Sequence, residues 1–312
     1  MRVEKVIYDG DPGHDDAMAI IMAAGDPHID LLAVTTVAGN TTLENTIKNA
    51  LMIMDLMKLD IPVVPGCAKP LLKKLQTAPM VHGQSGFEGP EHFVPLRQAS
   101  KEHAADFLIR TFMESDGDIN LVAAGPLTNI ALAMTREPGI CDKVKQIVFM
   151  GGGRYGNITG AAEFNFWVDP EAAKIVIDSK CKKVMFGWDL TEKAIVTPEA
   201  FTKISEIDSR LGRFVRDLIE FYALGPAKGT EILPTINDAC CIAYLINPEI
   251  FETSDYFVDV VTTPGISYGM SVIDYYRMNT WDMSPQPNVT VAEELDLDLF
   301  WEIMLNAIEV FD

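Results

Sequence analysis

Basic residues are scarce in this chain of 312 residues: 25 Lys and Arg stand against 45 Asp and Glu, a formal charge of −20. A surface that negative repels phosphate backbones, which excludes DNA or RNA polymers as partners and leaves neutral small molecules and cations. Cysteine is sparse as well. Cys67, Cys141, Cys181, Cys240 and Cys241 are odd in number and include no C-x-x-C pair. That pattern predicts neither a disulfide framework nor a zinc ribbon, and a reducing cytoplasm as the compartment. No apolar run reaches the roughly 18 residues of a membrane helix, so no membrane partner is expected. The charged opening Met1–Asp9 carries no signal-peptide core. Histidine is confined to the first third, at His14, His28, His82, His92 and His103.

What is present is the composition of an ordinary globular protein, with 48% hydrophobic and 22% charged residues. Short apolar runs at Lys5–Tyr8, Leu31–Thr36, Ile61–Val64, Ile119–Ala123, Gln146–Met150, Lys183–Phe186 and Tyr256–Val261 read as strands. Between them Asp16–Ala24, Leu43–Leu59, Lys101–Glu114, Leu127–Arg136, Pro170–Ser179 and Leu211–Leu224 have helical period. Such alternation predicts an α/β fold: an open, mostly parallel, doubly wound sheet flanked by helices. No linker or repeat divides the chain, so residues 1–312 are expected to form a single domain. The stretch from Leu75 to Pro95, rich in Gly, Pro and His, fits neither template. A loop that long in a compact domain is either functional or a surface excursion.

The first strand runs into Asp9-Gly10-Asp11-Pro12-Gly13-His14-Asp15-Asp16, four carboxylates in eight residues. Strand C-terminal ends are where open α/β sheets bind ligands. Asp15 and Asp16 fall in the first turn of the next helix, where the helix dipole favours negative charge. Capping accounts for one or two aspartates. Four repel one another unless a cation is present, and hard carboxylate oxygens favour Ca²⁺ or Mg²⁺ over zinc. An EF-hand counted from Asp9 would need Gly and Glu where His14 and Ile20 stand. A haloacid-dehalogenase-type phosphatase also ends its first strand in D-x-D, but an added Asp-Asp pair is not expected there.

Other polar residues fall at the ends of elements: Asn40 after the second strand, and Ala124 in the turn Ala123–Asn129. Glycines follow Met150, and Glu163 and Asn165 stand two apart, on one face if extended. In Leu233–Asp238, Asp238 starts the apolar helix Ala239–Leu245. Together they describe a carboxylate and carboxamide pocket around one hard cation.

The segment Asp9–Asp16 resembles the signature of the inosine-uridine-type nucleoside hydrolases. The resemblance continues through VAGN at Val37–Asn40, VHGQSG at Val81–Gly86 and AAGPLTNIALA at Ala123–Ala133. It extends through FMGGG at Phe149–Gly153, the stretch Gly156–Ala172 with its AEFN and DPEA, and NDA at Asn237–Ala239. It implies a Ca²⁺ ion and hydrolysis of the N-glycosidic bond of ribonucleosides, giving free base and ribose. It further implies that Asp11, Asp16, Asp238 and the Ala124 carbonyl hold the metal, with Asp11 as general base for the attacking water. Asp15, Asn40 and Asp238 would hold the ribose hydroxyls, and Met150, Asn157, Glu163 and Asn165 the sugar and its 5′-hydroxyl. Asp9 is left as a support. A homodimer or homotetramer is implied as well.

The chain departs from the family's pattern at Asn237, where many members have a histidine able to protonate the leaving base. Asparagine cannot deliver a proton, which leaves His82 as the nearby acid candidate. Tyr222, Tyr275 and Trp281 are candidates for stacking on the base, against the commoner role of aromatic packing. Pyrimidine or broad nucleosides are the first expectation. A modified nucleoside such as queuosine, whose 7-deazapurine lacks the N7 a histidine would protonate, is the alternative. A catalytically silent Ca²⁺/ribose-binding homologue is the reading from another class.

Overall fold

The computed structural model describes residues 3–224, 234–276 and 285–311. Trp281 and Leu233 lie outside the described residues. The strands are β1 (Glu4–Gly10), β2 (Ile29–Thr36), β3 (Val63–Pro65), β4 (Ile119–Ala123), β5 (Gln146–Met150), β6 (Lys183–Phe186), β7 (Phe251–Tyr256), β8 (Val258–Val260), β9 (Ser271–Ile273) and β10 (Val289–Leu295). Eight form one sheet in the order β3-β2-β1-β4-β5-β6-β10-β7, parallel except for β7, which runs antiparallel to β10. The open α/β architecture is that expected from the sequence.

Every residue of β4, β5 and β6 is buried, because helices cover both faces. One apolar layer gathers around the helices His14–Gly25, Leu43–Met57, Ala239–Ile246 and Leu297–Glu309. The other lies beneath Ala104–Glu114, Thr128–Arg136 and Pro170–Asp178. The chain turns from β1 outward to β2 and β3, then returns to place β4 on the other flank of β1. That reversal opens a crevice above the C-terminal ends of β1 and β4, the ligand position of such sheets.

Several expectations need correction. The run Tyr256–Val261 is not one strand. Tyr256 ends β7, an edge strand whose middle is mostly exposed, while Val258–Val260 leaves the main sheet to pair with β9. The sequence reading also assigned no element to β10 or to the helix Leu297–Glu309. β10 alternates polar and apolar residues too weakly to stand out, but Asp296 caps that helix by accepting from the Leu299 N–H.

Cysteine pairing differs too. Cys141 and Cys181 form a disulfide, with Cα atoms 4.7 Å apart across 40 residues of sequence. Cys141 precedes β5 and Cys181 precedes β6, so neighbouring parallel strands bring the two together at the sheet edge opposite the crevice. Cys67, Cys240 and Cys241 are free.

Candidate active site

The acidic segment is built by a strand, a turn and a helix in direct succession. β1 ends at Gly10, and the helix His14–Gly25 begins four residues later with Asp15 and Asp16 in its first turn. Asp16 is anchored by the Tyr8 hydroxyl at 2.8 Å and by the Gly13 N–H at 3.0 Å. Asp11 is held by the Asn40 N–H, which donates to Oδ2 at 2.5 Å. Its carboxylate fits between two glycines. A methyl group on Gly39 would lie 2.1 Å from Oδ2, and one on Gly125 would lie 2.7 Å from Oδ1. Behind them Asp9 accepts from Thr35 Oγ1 at 2.5 Å and Asn129 Nδ2 at 2.8 Å.

These carboxylates are expensive to leave alone. Asp11, Asp16 and Asp238 are at most 3% exposed. Burial, then the charge of Asp16, raises Asp11 well above the usual carboxylate range. Burial, then the charge of Asp15, pushes Asp16 up to about 7. Asp238 is raised well above its ordinary value by burial and then by Asp15 and Asp16. One oxygen each of Asp15, Asp16 and Asp238 lies within 4.8 Å of the others, close enough to share a cation. Asp11 Oδ1 and Asp15 Oδ1 are buried with no hydrogen-bond partner. An all-oxygen donor set with orphaned carboxylate atoms fits a hard divalent ion, whose charge would keep these groups ionised. The tightest grouping contains Asp15 where the resemblance implied Asp11, and Asp11 stands beside it.

A cavity of about 410 Å³ opens over this cluster. Asp15, Asn40, Ala124, Asn237 and Asp238 border it at its acidic end. Met150, Asn157, Glu163 and Asn165 border it from β5 and the segment beyond. Asn165 Nδ2 donates to the carbonyls of Ala124 at 2.9 Å and Met150 at 3.2 Å, tying those two strand ends together. The segment holding Glu163 and Asn165 is helical, so the condition under which the two would share a face of an extended chain is not met. Glu163 caps the helix Phe164–Val168 and Asn165 lies in its first turn. Burial pushes Glu163 up to about 7 even though backbone N–H groups of Asn165, Gly152 and Phe166 donate to it.

The apolar end was harder to foresee. His82, within the short helix Pro79–His82, brings the Leu75–Pro95 stretch against the cavity together with Ala78 and Val81. Tyr222 lines it, as do Trp188, Phe164 and Ile158, which the sequence reading did not single out. Gly187 before Trp188 and the AEFN motif around Phe164 are the only local signals. Tyr275 is placed elsewhere, under the Arg154 guanidinium at 4.0 Å and against Tyr256. Asn237 donates through Nδ2 to Asp15 Oδ2 at 3.0 Å, and its Oδ1 is buried without a partner.

Comparison with known proteins agrees with this geometry. The profile of the family described as inosine-uridine preferring nucleoside hydrolase matches residues 6–302. A pyrimidine-specific ribonucleoside hydrolase, RihB of Shigella flexneri, is 40% identical over 312 residues, covering 97% of this chain and 96% of its own. Among solved structures, the plant nucleoside hydrolase PpNRh1 superimposes with a TM-score of 0.91 at 30% identity, covering 98% of both chains. A purine-preferring ribonucleoside hydrolase from Gardnerella vaginalis gives 0.91 at 28% identity over 99% of both. The chain belongs to the inosine-uridine preferring nucleoside hydrolase family and is an enzyme of that class.

Proposed function

We propose that the protein is a Ca²⁺-dependent hydrolase of pyrimidine ribonucleosides, acting as a single-domain chain within a homodimer or homotetramer. The observation that carries the reaction is the buried cluster of Asp11, Asp15, Asp16 and Asp238 beneath a cavity of nucleoside size. The preference for pyrimidines is supported by the 40% identity to a relative named pyrimidine-specific. Asn237 points the same way, since no imidazole stands there to protonate a purine.

Asp11, Asp16, Asp238 and the Ala124 carbonyl would hold the ion, with Asp15 close enough to join them. When bound, Ca²⁺ supplies the positive charge that keeps these carboxylates ionised and orients the sugar hydroxyls. Asp11 Oδ1, buried without a hydrogen-bond partner, takes the proton of the water that attacks the anomeric carbon. As the glycosidic bond breaks, positive charge develops on the sugar, and the surrounding oxygens of Asp15, Asp238 and Asn165 stabilise it. Asn40, Asp15 and Asp238 hold the ribose 2′- and 3′-hydroxyls. Met150, Asn157, Glu163 and Asn165 close over the sugar and its 5′-hydroxyl. His82, Asn237 and Tyr222 border the base.

The test is ribose release from uridine, cytidine, inosine and queuosine, with Ca²⁺ and after exhaustive chelation. Uridine or cytidine should lead, and chelation should abolish turnover. A kcat/KM for queuosine about 100-fold above the others, equivalent to ~2.7 kcal/mol, replaces the pyrimidine assignment with a modified base. No turnover of any of them, with Ca²⁺ bound, identifies a silent ribose-binding homologue.

A further inference from the structure

His82 does not stand alone at the base end of the cavity. Its Nδ1 lies 3.2 Å from His14 Nδ1, and His14 Nε2 lies 2.9 Å from the carbonyl oxygen of Glu88. A carbonyl only accepts, so the proton of a neutral His14 is on Nε2 and its Nδ1 is a lone pair. His82 Nδ1 must then donate to that lone pair, and His82 Nε2 is left without a proton. The backbone N–H of His14 also approaches His82 Nδ1, but at 3.5 Å it is the longer contact, at the limit of a hydrogen bond.

His14 is 2% exposed and His82 6%, and a charge shut away from water among aromatic rings is costly, so the packing favours the uncharged form of both. Tyr222 stacks on both imidazoles, at 5.4 and 5.7 Å between centroids, and Phe221 stacks on His14 at 5.2 Å. The rings are held in the planes that make the relay possible.

We propose that His14 is a positioning residue that fixes His82 in the Nδ1–H tautomer, so that His82 offers the base a hydrogen-bond acceptor and selects bases bearing an N–H donor. This deepens the nucleoside reading of the cavity and rests on it. With Nδ1 turned to His14, Nε2 is the polar atom His82 has left for the cavity it lines. Asn237, on the same cavity, also has its oxygen without a partner. The imide N–H of uracil and the amino group of cytosine are donors of the required kind. A base offering only acceptors would leave these atoms desolvated and unpaired.

Two measurements decide the proposal. Long-range ¹H–¹⁵N correlation spectra of the substrate-free protein distinguish histidine tautomers directly, and five histidines are few enough to assign by substitution. His82 should be protonated on Nδ1 and His14 on Nε2, and His14→Phe should release His82 toward the other tautomer. A wild-type His82 protonated on Nε2 overturns the proposal. In the second arm, kcat/KM for uridine is compared with 3-methyluridine, whose methyl group replaces the donor. The ratio should be at least ~10-fold in the wild type and should shrink in His82→Phe. An equal ratio in both proteins overturns it as well. Should no pyrimidine nucleoside be cleaved, the substrate reading falls, while the spectra still decide the tautomer.

Discussion

The Asn237 side chain gives its amide to Asp15 Oδ2 at 3.0 Å, so an uncharged carboxamide is fixed where a proton donor to the leaving base would stand. A histidine built at this position would meet the same carboxylate. Asp15 would orient the ring and raise its basicity, which is what a general acid near neutral pH requires.

Asn237→His should therefore raise kcat for inosine, whose N7 accepts a proton, by up to ~10²–10⁴-fold. Turnover of uridine should change less. Steady-state kinetics on both nucleosides check this, with Ca²⁺ binding measured alongside. An unchanged inosine rate in a folded, metal-loaded variant would mean that leaving-group protonation is not limiting.

Asp11→Ala should lower kcat by at least ~10³-fold, because Asp11 Oδ1 is the carboxylate oxygen assigned to the attacking water. Its effect on KM should be smaller. Chelation should also lower thermal stability, since an ion that binds only the folded state at 100 times its Kd contributes about 2.7 kcal/mol. Calorimetry with and without Ca²⁺ reads this, and a Tm indifferent to the ion would remove the metal site.

How much of this could be read from the sequence depends on distance along the chain. Asp11, Asp15 and Asp16 are legible because a strand, a turn and a helix fix them within six residues, and local rules govern each piece. Glu163 and Asn165 are legible as a motif but not in conformation, since Glu163 becomes a helix cap instead of part of an extended segment. Trp188 and Phe164 carry no signature of their own. Only the packing of β6 and β5 over the crevice turns them toward the cavity. The Cys141–Cys181 pair is invisible for the same reason: neighbouring strands join residues 40 apart. The relay from Glu88 through His14 to His82 likewise needs the loop folded back onto the helix His14–Gly25 before any contact exists.

That disulfide makes a prediction independent of the active site. Closing a loop of 40 residues removes conformational freedom from the unfolded chain, worth about 3–4 kcal/mol in the chain-entropy account. Oxidised protein should unfold at higher denaturant than protein kept in reductant, and Cys181→Ser should abolish the difference. The pair lies at the sheet edge remote from the crevice, so kcat should be the same in both redox states.

Glu163 gives the pH dependence its sign. Its carboxylate is 2% exposed, and burial outweighs the three backbone N–H groups that donate to it, raising it from 4.5 to about 7. Between those two values the folded protein holds a proton that the unfolded chain has released. The stabilising contribution is therefore complete below about 4.5 and is lost as pH rises through about 7. Its full size is roughly 3 kcal/mol from the constant per pKa unit. Glu163→Gln carries no such titration, although its Nε2, unlike a carboxylate oxygen, cannot accept from a backbone N–H and so adds a cost that is the same at every pH. Urea unfolding at pH 5 and pH 8.5, with Ca²⁺ saturating, should show the variant gaining on the wild type by up to that amount at the higher pH. Parallel stabilities at the two pH values would mean that Glu163 is solvated and free to ionise at its ordinary value.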